Sequence, residues 1–191
     1  MLEQELEAVI GLEIHAHLST KTKMFCRCSN DSFGKLPNIN VCPICMGFPG
    51  MLPSLNAEAL KKGIIASLAL NCNVQNFSKF DRKNYFYPDL PKGFQISQFD
   101  KPIALNGYVD VENGLVNKRI RVTRLHLEDD AGKLTHVREG TLVDFNRSGA
   151  PLAEIVSEPD MSSANEASLY AREIQKILRY VGASEADMEK G

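Results

Sequence analysis

Residues 8 to 18 read as a strand, with an apolar side chain at every second position from Ile10 to Leu18. Ile10, Leu12, Ile14, Ala16 and Leu18 fall on one side, and Val9, Gly11, Glu13, His15 and His17 on the other. That period of two predicts a strand with one face turned to a core. The spacing changes at Asn56, where Leu60, Ile64 and Leu68 recur at helical intervals. A helix capped by Asn56 is predicted to run to about Leu70 with those three side chains on its buried stripe. A second helix opens at the capping box Ser163-x-x-Glu166, turns Tyr170, Ile174, Ile177, Leu178 and Val181 inward, and stops at Gly182. Between the helices, residues 108–112 and 118–127 read as a β-hairpin around Asn113-Gly114, and further strands are expected at 141–145 and 152–157. Residues 77–100 are aromatic, basic and proline-containing, and read as a long ordered loop or several short strands. The sum is an α+β fold built on a mainly antiparallel sheet with packed helices.

The irregular stretch from 24 to 53 carries four of the five cysteines, as Cys26-x-Cys28 and Cys42-x-x-Cys45. Two close pairs allow tetrahedral thiolate coordination, which suits structural Zn²⁺ in a small knuckle-like loop and leaves Cys72 out. The remaining composition narrows the field. A net charge of -2 gives no global signature of a nucleic-acid binder, no apolar run approaches the ~20 residues of a membrane span, and the acidic N-terminus lacks a secretion signal. The expected setting is the cytoplasm, with no membrane and no DNA partner. No Walker A, Rossmann glycine or nucleophile-elbow sequence is present. Any ATP site must therefore be assembled another way, for example by metal ions on a sheet.

Three further constellations bear chemistry. Glu13, His15 and His17 place a carboxylate and two imidazoles on one strand face, which is either a functional surface or a solvated one. The run Glu128-Asp129-Asp130 ends a predicted strand, as an acidic turn or as oxygen ligands for a cation such as Mg²⁺. Glu154 sits in the apolar run Pro151-Leu152-Ala153-Glu154-Ile155-Val156, where an unpaired charge is costly. The segment from Lys79 to Gln98 mixes basic and aromatic residues, as phosphate contact with base stacking would require, although some of its phenylalanines belong to a core.

Several of these stretches resemble the B subunits of aspartyl/glutamyl-tRNA amidotransferases. They are Val9-Ile10-Gly11-Leu12-Glu13-Ile14-His15, the run from Lys79 to Gly93, Gln95-Ile96-Ser97-Gln98, Asp130-Ala131-Gly132-Lys133 and Glu154-Ile155-Val156-Ser157-Glu158-Pro159-Asp160. The match runs from about residue 8 to the end, and the archaeal E subunit is the nearest confusable relative. The resemblance implies a glutamine-synthetase-like catalytic fold and a heterotrimer with an ammonia-producing A subunit and a small C subunit. It implies that ATP phosphorylates the side-chain carboxylate of Glu-tRNA(Gln) or Asp-tRNA(Asn) before ammonia displaces the phosphate. Glu13, His15, Asp129 and Glu154, with Glu128 adjacent, fall where the family places metal and active-site ligands for Mg²⁺ or Mn²⁺. Lys79, Arg82, Lys83 and Tyr87 are expected to border the ATP and acceptor-end cleft.

Two departures stand out: the family usually has Glu where this chain has Asp129, and the family's B subunits continue well beyond this point; the cysteine quartet occurs in some members and not others. Residues 1–191 are expected to form the N-terminal part of the catalytic domain. Helical and tail domains would be absent, and the isolated chain would be inactive. The competing reading is a zinc-stabilised, non-catalytic RNA- or partner-binding module.

Overall fold

A computed structural model describes residues 6–112, 114 and 117–188. Its centre is a five-stranded, wholly antiparallel sheet. In chain order the elements are β1 (Glu13–His17), α1 (Ala57–Ala69), β2 (Asn73–Val74), β3 (Asp81–Asn84), β4 (Phe94–Ser97), β5 (Ala104–Glu112), β6 (Asn117–Asp129), β7 (Lys133–Val137), β8 (Gly140–Asp144), β9 (Pro151–Ser157) and α2 (Ala164–Tyr180). The sheet order is β1-β9-β6-β5-β2, with β3-β4 and β7-β8 as separate two-stranded ribbons. Among the described residues no helix is long and apolar enough to cross a membrane.

The strand of residues 8–18 is regular only from Glu13 to His17, and Ile10 makes a single bridge to Met161. The hairpin of β5 and β6 is longer than its periodicity indicated. Its Asn113-Gly114 turn lies partly outside the described residues, which include Gly114 at φ +80°. The β7 strand had no sequence signal because most of its side chains are exposed on both faces of a narrow ribbon.

One face of the sheet is apolar and carries both helices. Ala16, Val109, Ile120, Val122, Leu125, Leu127, Ala153 and Ile155 pack there with Tyr170, Ile174 and Leu178 of α2. Ile177 and Val181 are only partly buried at the margin of that core. The Ser163 hydroxyl caps α2 by accepting the Glu166 amide, while the Glu166 carboxylate accepts the Ser162 amide rather than closing a reciprocal box.

The buried stripe of α1 corrects the expectation. Ala59, Gly63, Ala66 and Ser67 face the sheet, Leu60 and Ile64 are only partly covered, and Leu68 is exposed. The helix sits too close to β6 for large side chains: a Cβ at Gly63 would come 2.8 Å from Cδ2 of Leu127. Close approach selects small residues, so the bulky positions flank the contact instead of making it.

Candidate functional site

The opposite face of the sheet is polar in its middle, and strand register explains why. His15 of β1 lies opposite Glu154 of β9, and Glu154 lies opposite His126 of β6. Antiparallel neighbours are about 4.8 Å apart, so three strands bring two imidazoles and a carboxylate into one row. Glu128, two residues along β6 from His126, reaches the same row. His15 Nε2 lies 3.0 Å from Glu128 Oε1 and 3.2 Å from Glu154 Oε2. His126 Nε2 lies 3.1 Å from Glu154 Oε2 and 3.5 Å from Glu128 Oε2. Ligand atoms of His15, Glu128 and Glu154 all fall within 4.8 Å of one another, close enough to hold one cation. Ser97 of β4 donates its hydroxyl to Glu128 Oε2 at 3.0 Å and fixes that carboxylate from the ribbon side.

The electrostatics follow from this packing. Hydrogen bonds that the His15 imidazole donates to Glu128 and then to Glu154 raise it to about 10, against the opposing effect of burial. Burial works against charge on His126, yet the same two carboxylates leave it raised. Burial would lift Glu128, but His126 and His15 hold it down at about 2. Glu154 is lowered by His126 and then His15. A group whose folded pKa exceeds its unfolded value stabilises the fold below the unfolded pKa and loses that contribution as pH rises through the folded one. For metal-free protein, His15→Gln should therefore be less stable than the parent near about pH 6, with the gap closing towards about pH 10.5. The effect is modest because the His15 side chain is half exposed and solvent screens it. Urea unfolding at the two pH values is the check; a gap that widens with pH would contradict the assignment.

The structure does not bring together all the residues singled out from the sequence. Asp129 is not in the cluster, which corrects its expected place there. Consecutive strand residues face opposite sides, so Glu128 joins the polar row while Asp129 turns away to meet the Lys92 ammonium and to accept the Ile96 amide at 2.8 Å. Burial pushes the Asp129 carboxyl up, against Lys92 and Ile96. Glu13 lies on the strand face of His15 but is exposed and outside the three-residue group. His17 continues that face and pairs with Asp130 at 2.7 Å, which also takes Arg147 at 3.0 Å.

The basic residues of the 79–98 segment divide. Arg82 stacks 4.5 Å over the Phe94 ring and, with Lys92, Asp129, Cys26 and Cys45, lines a cleft of about 490 Å³. Lys79 is held by Asp81 and Asp100 on the surface, and Lys83 and Tyr87 are exposed. Tyr85, two residues before Tyr87, lies close enough to the cluster that burial and then the charges of Asp89, Glu128 and Asp130 raise its phenol.

The cysteines of the 24–53 loop do converge. Sγ atoms of Cys26, Cys28, Cys42 and Cys45 all lie within 4.8 Å of one another, and Cys72 is apart, free and buried. Four thiols at that spacing fit a tetrahedral metal. Cys45 is lowered to about 4, chiefly by the Cys26 thiol, and Cys28 is raised to about 11 by burial and then Cys42. Lys23, fully buried, places Nζ 3.8 Å from Cys45 Sγ and donates to the Asn40 carbonyl at 2.8 Å.

His126 and Lys92 lie in stretches that the sequence singles out without assigning them a role, and Lys23 carries no signal at all. His126 was recoverable, because Arg124, His126 and Glu128 repeat on β6 the alternation of Glu13, His15 and His17. Lys92 and Lys23 sit in irregular chain, where no periodicity shows which way a side chain points.

This sheet, with its carboxylate–imidazole row and cysteine loop, belongs to a catalytic-domain family. A family profile described as the GatB/GatE catalytic domain matches residues 8–191, and the chain is a member of that family. Among curated relatives, the aspartyl/glutamyl-tRNA(Asn/Gln) amidotransferase B subunit of Persephonella marina is 59% identical over 187 residues, 98% of this chain and 39% of that protein. The B subunits of the same name from Caldicellulosiruptor saccharolyticus and Clostridium tetani are 53% and 54% identical over 98% of the chain. The chain thus spans about 39% of the length of these relatives.

Proposed function

We propose that this chain is the N-terminal part of the catalytic domain of an amidotransferase B subunit with a glutamine-synthetase-like fold. In this reading it activates the side-chain carboxylate of Glu-tRNA(Gln), Asp-tRNA(Asn) or both. The observation that carries this is the meeting of His15, Glu128 and Glu154 on the polar face of the sheet. A carboxylate resists ammonia until it carries a leaving group, and transfer of phosphate from ATP supplies one. His15, Glu128 and Glu154 would hold Mg²⁺ or Mn²⁺, with His126 supporting Glu154 from the neighbouring strand. The cation would neutralise phosphate charge as the carboxylate attacks. Arg82 would meet the nucleotide or acceptor end from the 490 Å³ cleft, with Lys79, Lys83 and Tyr87 at the rim. Glu13, exposed on the strand face of His15, would add negative charge near the cation. Asp129 would act on the Lys92 side.

The natural setting in this reading is a cytoplasmic complex with the A and C subunits, the A subunit supplying ammonia from glutamine. Without them and the remaining domains the chain would be inactive. Calorimetric titration of Mn²⁺ tests the site. One cation per chain should bind, and Glu128→Gln should weaken it by roughly 10-fold or more; unchanged affinity in the variant overturns the assignment.

The cysteine loop would hold one structural Zn²⁺ through Cys26, Cys28, Cys42 and Cys45. Elemental analysis of protein purified without added metal should find one zinc per chain. Cys42→Ser should lose the metal and loosen residues 24–53 before the sheet. Five freely titrating thiols would contradict this. The non-catalytic binding module finds some support in the exposed Phe33, Leu36, Ile39 and Phe48 of the same loop. A binding surface gives no reason to gather Glu128 and Glu154 elsewhere on the sheet, and those charges would repel phosphate.

A further inference from the structure

The cysteine loop and the Lys92–Asp129 pair meet at one residue, Gly47. The chain after Cys42 turns tightly: the amides of Met46, Gly47 and Phe48 donate to the carbonyls of Cys42, Ile44 and Pro43 at 3.0, 3.0 and 2.8 Å. Gly47 lies at φ +70°, and a Cβ there would come 2.7 Å from Cγ and 2.9 Å from Cα of Lys92. The Cα is backbone and cannot swing aside, so only glycine permits this approach. The stem of Lys92 is thereby trapped between the turn and the cleft, with its side chain only 8% exposed and its ammonium on Asp129. Asp129 in turn ties down β4, through its Oδ1 to the Ile96 amide at 2.8 Å and its carbonyl to Gln95 Nε2 at 2.9 Å. Cys26, Cys45, Gly47, Lys92 and Asp129 line the same cleft. From the other side, Lys23 fastens Cys45 and Asn40 to the carbonyl of Phe145, just after β8.

We infer that Gly47 is a positioning residue that holds Lys92 on Asp129, so that a metal on the four cysteines sets the geometry of the cleft as well as of its own loop. The metal half of this rests on zinc coordination by the four cysteines, proposed above, whereas the clamp rests only on the contact of Gly47 with Lys92. Four ligands converging on one ion fix the Cys42–Cys45 turn, and the turn fixes where Gly47 presses. Releasing the ligands lets the turn relax, frees Lys92 from its trap and leaves the Asp129 carboxylate without its cation. The Ile96 amide, which depends on that carboxylate, is the reporter.

Amide hydrogen exchange on the full chain tests both halves. Removal of zinc by a chelator under reducing conditions should speed exchange at Ile96 by roughly tenfold or more, while the β5–β6 amides of Val109 and Ile120 keep their protection. Gly47→Ala should do the same with zinc still bound. If Ile96 keeps its protection in both, the inference is overturned. If only Gly47→Ala exposes Ile96, the clamp stands and its coupling to metal is overturned. If the protein takes up no zinc, the reading of the cysteines fails and the Gly47→Ala result alone decides the clamp. Should Gly47→Ala fail to fold, chelation of the unaltered chain remains decisive.

Discussion

On the function proposed above, Glu154→Gln in a full-length amidotransferase is expected to lower tRNA-dependent ATP hydrolysis by roughly 10²-fold or more, because cation stabilisation of phosphoryl transfer is worth several kcal/mol. The substitution keeps size and hydrogen-bonding capacity but removes the charge that both His15 and His126 address. Hydrolysis of glutamine by the A subunit should continue, which separates a lesion in carboxylate activation from failure of the complex to assemble. Glu128→Gln should behave alike, since its Oε1 is 3.0 Å from His15. Asp129→Asn should not reproduce the cation-binding defect, because that side chain is turned towards Lys92. Near-normal ATP hydrolysis in Glu154→Gln would remove the chemical role assigned to the row of side chains.

The second large effect is on stability. Lys92→Met leaves the Asp129 carboxylate, whose side chain is 2% exposed, without its cation. Breaking one partner from a buried pair typically costs about 3–5 kcal/mol. Burial already pushes the Asp129 carboxyl up, and losing Lys92 pushes it further. The folded variant then holds a proton that the unfolded chain releases above the usual carboxylate range, so its stability falls as pH rises from acid towards neutrality. Chemical denaturation across that range is the check. The double variant Lys92→Met/Asp129→Asn should recover much of the loss at neutral pH, since it leaves a neutral amide that still accepts the Ile96 N–H. A loss independent of pH, with no recovery in the double variant, would mean that packing of the Lys92 stem rather than charge is responsible.

Most of the sheet was legible because its strands have one dry face. The alternation through Ile14 and Ala16, and the apolar run at β9 interrupted by Glu154, are direct imprints of that geometry. The α2 helix was legible for the same reason, with Tyr170, Ile174 and Leu178 at helical spacing. What escaped was set by contacts between elements. The α1 stripe looks leucine-rich in sequence, but the distance to Leu127 selects Gly63 and Ala66. The acidic triplet after β6 reads as one feature, although adjacent residues of a strand diverge and send Glu128 and Asp129 to different partners. The pairing of His15 with Glu154 and of Glu154 with His126 is a matter of register, which no single strand encodes. The acidic run closing β6 and the lone acid in the apolar run of β9 already single out Glu128 and Glu154, the resemblance to the B subunits points to the same residues, and the register shows why they meet while Asp129 does not join them.

On the function proposed above, His15, Glu128 and Glu154 form a divalent-cation site. Anomalous scattering from crystals of this chain grown or soaked with Mn²⁺ tests it most directly. One manganese peak is expected within bonding distance of His15 Nε2 and of a carboxylate oxygen from each of Glu128 and Glu154, with His126 still on Glu154. Manganese found elsewhere, with His15 still ion-paired to both carboxylates at saturating metal, would contradict it.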